Sequence, residues 1–313
     1  MVLLSRAVLP RGRGAPGGRS AWLGRRRPRG TGAGIRGGRG VPSPCRGYAS
    51  PVTTPQALGP DLDQAIRAAV ALIRRSRHAV ALSGAGLSAE SGIPTYRGAN
   101  GLWTKFGEPT IDGWELFCAD PGSWWEHVLE RREGSEFGHA IDIAEPNAGH
   151  VAMADLEHMG RLAHVITQNI DNLHQRAGTR SITEIHGNRA KVRCMNCGGR
   201  DRLETISLDR LPPLCPECGG ILKNDTVMFG EPIPDDALRE CYRQSAIADL
   251  FLVVGTSAVV YPAADFPVMA KRRGVPLIEI NPDETPLSDI ADVAVRAPAG
   301  MALTAIVELL QEL

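Results

Sequence analysis

Two cysteine pairs, Cys194-Met195-Asn196-Cys197 and Cys215-Pro216-Glu217-Cys218, stand 17 residues apart. That spacing can close a tetrahedral thiolate cage around one zinc ion, so Cys194, Cys197, Cys215 and Cys218 predict a zinc ribbon. A four-thiolate site leaves no coordination position for water or substrate, which makes such an ion structural. Unliganded thiols in an intracellular loop are the plain alternative. Chemistry is then expected elsewhere in the chain.

The rest alternates between apolar runs and helical patterns. Residues 79–82 are apolar and lead directly into Ser83-Gly84-Ala85-Gly86, as a buried strand does when it feeds a glycine turn. Further buried strands are predicted at 163–167, 182–185, 250–254, 276–280 and 293–295, and helices at 61–77, 146–159, 234–246, 263–273 and 301–313. In the first helix Leu62, Ile66, Ala69, Val70 and Ile73 share one face, while Arg74, Arg75 and Arg77 suit the C-terminal end of the dipole. This order predicts an α/β fold, a doubly wound parallel Rossmann-like sheet covered on both faces. Two segments interrupt it: a zinc-binding insert at about 191–229 and a helical insert at about 100–146. The helical insert carries Trp103, Phe106, Trp114, Phe117, Trp124 and Trp125. These aromatics read first as a minor core and second as walls of an apolar ligand channel.

Charge is distributed unevenly. Residues 1–50 hold 11 arginines and no acidic side chain, leaving 24 basic against 35 acidic residues in the remainder. An acidic body argues against nucleic-acid binding, which needs a basic surface. No apolar stretch reaches the length of a membrane span. Cys45, Cys118 and Cys241 are scattered, which suits a reducing compartment and a cytoplasmic location. The Gly/Arg-rich leader, residues 1–55, reads as disordered. Its arginines also match a mitochondrial transit peptide, which would place the protein in the matrix, whereas its 12 glycines oppose the amphipathic helix of such peptides. The folded domain is expected over residues 56–313.

Gly84-Ala85-Gly86-Leu87-Ser88-Ala89 fits G-x-G-x-x-A after a strand, where missing side chains let backbone approach a pyrophosphate. A tight strand-to-helix turn needs glycine too, so this signal alone is weak. Pro94 then interrupts the helix that an ordinary oxidoreductase would continue, so residues 91–97 read as a cover over a nucleotide. Gln168, Asn169 and Asp171 follow a strand and offer donors and acceptors suited to a ribose or carboxamide, or a polar cap on the next helix. His186 ends another strand at the same edge; it is either a satisfied structural residue or a general base.

The run from Gly84 to Arg97, Thr167-Gln168-Asn169-Ile170-Asp171, His186-Gly187, the cysteine pairs, Phe229-Gly230-Glu231, Gly255-Thr256-Ser257 and Asn281-Pro282-Asp283 together resemble the sirtuins, NAD-dependent protein lysine deacylases, over about residues 60–313. Among them the chain looks most like the prokaryotic members and the desuccinylase class. The resemblance implies NAD as cosubstrate, a zinc ion, acyl-lysine proteins as substrates, and release of nicotinamide and O-acyl-ADP-ribose. It implies cofactor contacts from Gly84, Ala85, Gly86, Ser88, Thr95, Tyr96, Arg97, Gln168, Asn169, Asp171, Gly255, Thr256, Ser257, Asn281, Pro282, Asp283 and Ala299. His186 and Asn169 are implied as catalytic, and Val227, Met228, Phe229, Gly230 and Arg131 as substrate-binding. Thr95-Tyr96 replaces the usual Asp-Phe. Val128 stands where the desuccinylases carry the tyrosine of a Tyr-x-x-Arg pair, while Arg131 keeps the arginine, so a neutral acyl chain such as acetyl is expected. A nicotinamide dehydrogenase, a zinc-ribbon nucleic-acid binder and a protein ADP-ribosyltransferase are the rival readings.

Overall fold

A computed structural model describes residues 59–98, 101–108, 110 and 112–312, leaving out the side chains of 106 and 131–134. The expected leader, residues 1–55, lies outside them, as does the side chain of Arg131.

Nine strands and eleven helices occur among the described residues. The strands are β1 (Ala79–Ser83), β2 (His164–Thr167), β3 (Ile182–Glu184), β4 (Lys191–Cys194), β5 (Arg200–Arg202), β6 (Leu222–Asn224), β7 (Leu250–Val254), β8 (Leu277–Ile280) and β9 (Val293–Val295). The helices are α1 (Pro60–Arg75), α2 (Ala85–Ser88), α3 (Leu102–Phe106), α4 (Gly113–Ala119), α5 (Pro121–Gly134), α6 (Glu136–Ile143), α7 (Ala148–His158), α8 (Leu173–Ala177), α9 (Asp235–Ile247), α10 (Asp265–Arg272) and α11 (Ala299–Gln311).

Six strands form one parallel sheet in the order β3-β2-β1-β7-β8-β9, the doubly wound arrangement expected from the alternation. Every residue of β1 and β7 is buried, because helices cover both faces. The pleat sorts them. Ala79, Ala81, Leu250, Leu252 and Val254 join Ile66, Met153, Leu156, Leu303 and Ile306 of α1, α7 and α11 on one face. Val80, Leu82, Phe251 and Val253 join Cys241, Phe266 and Ala270 of α9 and α10 on the other. The first helix stops at Arg75, so Arg77 lies beyond the dipole's end, contrary to the sequence reading. Asp249 accepts the backbone N–H groups of Arg77 and His78 at 2.8 and 3.0 Å, which draws the chain out of the helix and into β1.

The second sheet is the antiparallel ribbon β5-β4-β6. Its core is shared with the helical segment: Trp125, wholly buried, packs with Val192, Cys194, Cys215 and Leu222, and its indole N–H donates to Leu222 O at 2.8 Å. Trp114, Phe117, Trp124 and Trp125 follow one another in ring contact. Trp103 departs from that group and pairs with Tyr96 and Phe229 beside the cavity described below, so the two readings of the aromatics divide between them. Among the described residues no helix is long and apolar enough to cross a membrane.

Candidate active site

The strand order reverses direction at β1 and β7, and a doubly wound sheet opens a crevice at that point beyond its carboxyl edge. There Gly84-Ala85-Gly86 leaves β1 and Gly255-Thr256-Ser257 leaves β7. The two turns touch. A Cβ at Gly86 would stand 2.7 Å from Gly255 O, one at Gly84 2.6 Å from Thr256 Cβ, and one at Gly255, whose φ is +58°, 2.3 Å from Leu87 N. Only glycine allows this approach, and the result is a side-chain-free cradle of the kind a diphosphate occupies.

A cavity of about 1450 Å³ opens over the cradle, large enough for a dinucleotide with a second substrate. Of the sequence-predicted residues, Gly84, Ala85, Gly86, Thr95, Tyr96, Arg97, Gln168, Asn169, His186, Val227, Met228, Phe229, Gly230, Gly255, Thr256, Ser257, Asn281, Pro282, Asp283 and Ala299 all line it. Ser88 and Asp171 do not. They border a separate void of about 20 Å³ with Ile93 and Pro94, and Ala85, Tyr96, Asn169 and Ile170 border both spaces and so stand between them.

Hydrogen bonds set the polar side chains. Asn169 Nδ2 donates to Gly84 O at 3.1 Å and to Ser88 Oγ at 3.0 Å, and Ser88 Oγ donates to Asp171 Oδ2 at 2.6 Å. Behind them His150 Nδ1 accepts from the Asn147 N–H, which leaves its Nε2–H to face Ser88 Oγ at 3.4 Å. Burial pulls His150 down to about 4 and so keeps it neutral, and burial raises the Asp171 carboxyl against the opposing bonds from Ser88 and Leu173. Tyr96 is pushed up to about 12 by burial and then by Asp171. Gln168 Nε2 donates to Thr256 Oγ1 at 2.9 Å and Asn281 Nδ2 to Thr256 O at 3.0 Å, tying three strand ends together. Thr95 Oγ1 donates to Arg97 O at 2.9 Å, so the threonine in place of the usual aspartate braces its own loop.

His186 has a defined tautomer. Its Nδ1 lies 3.2 Å from Gln168 O, which can only accept, so Nδ1 carries the proton and Nε2 is left as a base. Burial lowers its pKa from the ordinary histidine value, and the Gln168 carbonyl opposes this in part. Gly187 next to it is required: φ is +74°, and a Cβ would meet Asp225 O at 1.8 Å.

The cysteines fit zinc. All four Sγ atoms lie within 4.8 Å of one another, with Cys194 and Cys218 3.5 Å apart and Cys197 and Cys215 3.9 Å apart. Thiolates at zinc-bonding distance in a tetrahedron stand about 3.8 Å apart. A Cβ at Gly220 would intrude on the cage, 3.0 Å from Cys194 Sγ. None of the cysteines borders the large cavity.

Sequence reasoning assigned no role to His150, Glu90 or Glu231. Glu90 lines the cavity and accepts the Gly300 N–H at 2.8 Å, joining the glycine turn to the start of α11. Its place inside the glycine run was the available signal. His150 had none, because a histidine inside a helical pattern reads as one more core or surface residue.

Comparison with known proteins agrees with this geometry. The Sir2 family matches residues 84–262. The NAD-dependent protein deacylase 2 of Pyrobaculum aerophilum is 44% identical over 237 residues, 76% of this chain and 92% of its own. A solved Sir2 homolog–NAD complex is 42% identical at a TM-score of 0.66, covering 79% of this chain and 94% of its own. A Sir2 complex with a p53 peptide and NAD+ is 34% identical at 0.63, covering 79% and 97%.

Proposed function

We propose a division of labour among the cavity residues from one premise: the chain belongs to the Sir2 family. It is an NAD-dependent protein deacylase, moving an acyl group from lysine to ADP-ribose with consumption of one water and release of nicotinamide and free lysine. Bound NAD supplies the ribose carbon whose bond to nicotinamide is broken. On our reading the diphosphate rests on Gly84–Gly86 and Gly255–Ser257, Asn281 and Asp283 meet the adenosine ribose, and Ala299 closes that end. Asn169 meets the nicotinamide end, Asp171 acts on it from behind the wall through Ser88 Oγ, and Ser88, Gln168, Arg97, Thr95 and Tyr96 order the ribose and the loop above it. The acylated peptide adds as a strand against residues 227–230 and its side chain enters the cavity. His186 Nε2 then takes a proton from a ribose hydroxyl, which frees that oxygen to accept the acyl group. The observation that carries the assignment is His186 itself, with one nitrogen committed to Gln168 O and the other free at the cavity wall.

Because burial depresses the His186 pKa, the base stays neutral below the ordinary histidine range. The acid limb of kcat/KM is therefore expected below about pH 6.5. A pH–rate profile with acetyl-lysine peptide checks this; a limb centred above that value contradicts the role.

For the acyl chain, Val128 supports a neutral group. It packs against the Trp125–Val192 cluster and does not line the cavity, and valine brings no hydroxyl to the position where the desuccinylases carry tyrosine. We place the chain near the prokaryotic and desuccinylase-type members with Arg131 kept, and infer a preference for acetyl over succinyl of roughly ten-fold in kcat/KM. Acetyl-, succinyl- and long-acyl-lysine peptides with NAD, read by mass spectrometry, test it. Faster succinyl turnover assigns acid recognition to Arg131 and overturns the preference, and adenylate label appearing on protein identifies ADP-ribosyl transfer instead. The catalytic unit is residues 56–313, and the scattered cysteines favour the cytoplasm, with the matrix as the alternative if residues 1–50 direct import.

A further inference from the structure

A charged network lies buried between the ribbon and the cavity. Lys223 of β6 has no exposed side-chain surface, and its Nζ stands 2.9 Å from Glu231 Oε2. The other Glu231 oxygen pairs with Arg193 of β4. Arg193 Nε lies 3.6 Å from Asp225 Oδ1, Arg200 Nε of β5 is 3.1 Å from the same atom, and Arg200 NH1 reaches Asp236 of α9 at 2.7 Å. Each ribbon strand thus supplies one cation, and each anion lies on the chain that leaves the ribbon.

Buried ion pairs are weak contributors to stability, since apolar side chains of equal volume serve as well, so their placement needs another reason. Here the charges hold backbone. Lys223 Nζ donates to Thr226 O at 2.6 Å and to Asn224 O at 2.9 Å, and Glu231 Oε2 accepts the Met228 N–H at 2.9 Å. Between these anchors runs Val227–Gly230, all of it on the cavity wall. The Val227 N–H donates to His186 O at 2.9 Å, so the same short segment also rests on the backbone of the base.

We propose that the Lys223–Glu231 pair positions residues 227–230 for the incoming acyl-lysine peptide and thereby sets peptide affinity, linking the zinc ribbon to substrate recognition. Both are positioning residues, acting through the segment they hold. The inference rests on the assignment of 227–230 as the peptide-docking segment made above.

The test separates positioning from stability. Lys223→Met leaves Glu231 with one cation fewer and is expected to lower Tm as well as activity. The double variant Lys223→Met/Glu231→Gln removes both charges of the pair while leaving an amide oxygen for the buried Arg193, which a methionine at 231 would strand. In steady-state assays with acetyl-lysine peptide, the double variant is expected to recover Tm and bind one zinc per chain. Its peptide KM is expected to stay raised roughly ten-fold, because the two charge-assisted backbone anchors of Lys223 are gone, while KM for NAD stays within about two-fold. Glu231→Gln alone keeps an acceptor for the Met228 N–H and should raise peptide KM less. A double variant whose peptide KM returns to the wild-type value along with its Tm makes the pair a stability device and overturns the proposal. Wild-type turnover of the peptide is the control for the functional reading; its failure would count against that reading and is seen before any variant is compared.

Discussion

Replacing His186 with alanine is expected to cut formation of free lysine and O-acyl-ADP-ribose by roughly 10²- to 10⁴-fold, the usual contribution of a positioned general base. The fold should survive. The side chain makes one hydrogen bond, to Gln168 O, worth about 1 kcal/mol, and the bond from the Val227 N–H to His186 O belongs to the backbone and is unaffected. NAD affinity should change little, because the glycine cradle and Asn281 do not depend on the imidazole. His186→Tyr should behave alike in turnover. The measurements are single-turnover formation of free lysine and O-acyl-ADP-ribose and thermal unfolding of the same preparations. A variant that turns over normally ends the assignment, and one that unfolds shows that His186 is structural.

Removing zinc is the second large effect. The ribbon is three short strands whose core is a few apolar side chains, two of them ligand cysteines, Cys194 and Cys215. Structural zinc in small sites supplies on the order of 10–16 kcal/mol, more than such a core can replace. Chelation, or Cys194→Ser, should therefore melt the ribbon while the parallel sheet persists. Trp125 reports it, because loss of β6 removes the Leu222 carbonyl that its indole N–H bonds and opens its pocket to water. A red shift in tryptophan fluorescence should accompany loss of activity, since residues 226–230 continue directly from β6. Metal-free protein with native fluorescence and full turnover would refute the structural role.

Much of the scaffold could be read in advance because its signals are local. Strands buried on both faces need unbroken apolar runs, and residues 79–82 and 250–254 have them. The glycine turns announced close backbone approach, and the cysteine spacing announced a cage. The misses have a common physical cause. Arg193 and Glu231 are 38 residues apart, so no periodicity or short motif relates them. Lys223 and Glu231 carry charges that in a sequence read as solvated surface, yet both are buried. Trp125 was legible as a core residue, but its partners Val192 and Leu222 lie in the ribbon, which made two separately read inserts share one core.

The order of residues along the chain determined which groups this protein has to work with: a doubly wound sheet, two glycine turns at its switch point, a thiolate cage and one histidine at a strand end. Those follow from interactions between near neighbours, which short patterns encode. Only the tertiary structure decided which groups face the cavity, which stand behind its wall, and that the ribbon's buried charges hold the segment beside His186. The reason is that such contacts arise where distant strands are brought together, and burial converts an ordinary charge or imidazole into an anchor or a base only once those strands have closed around it.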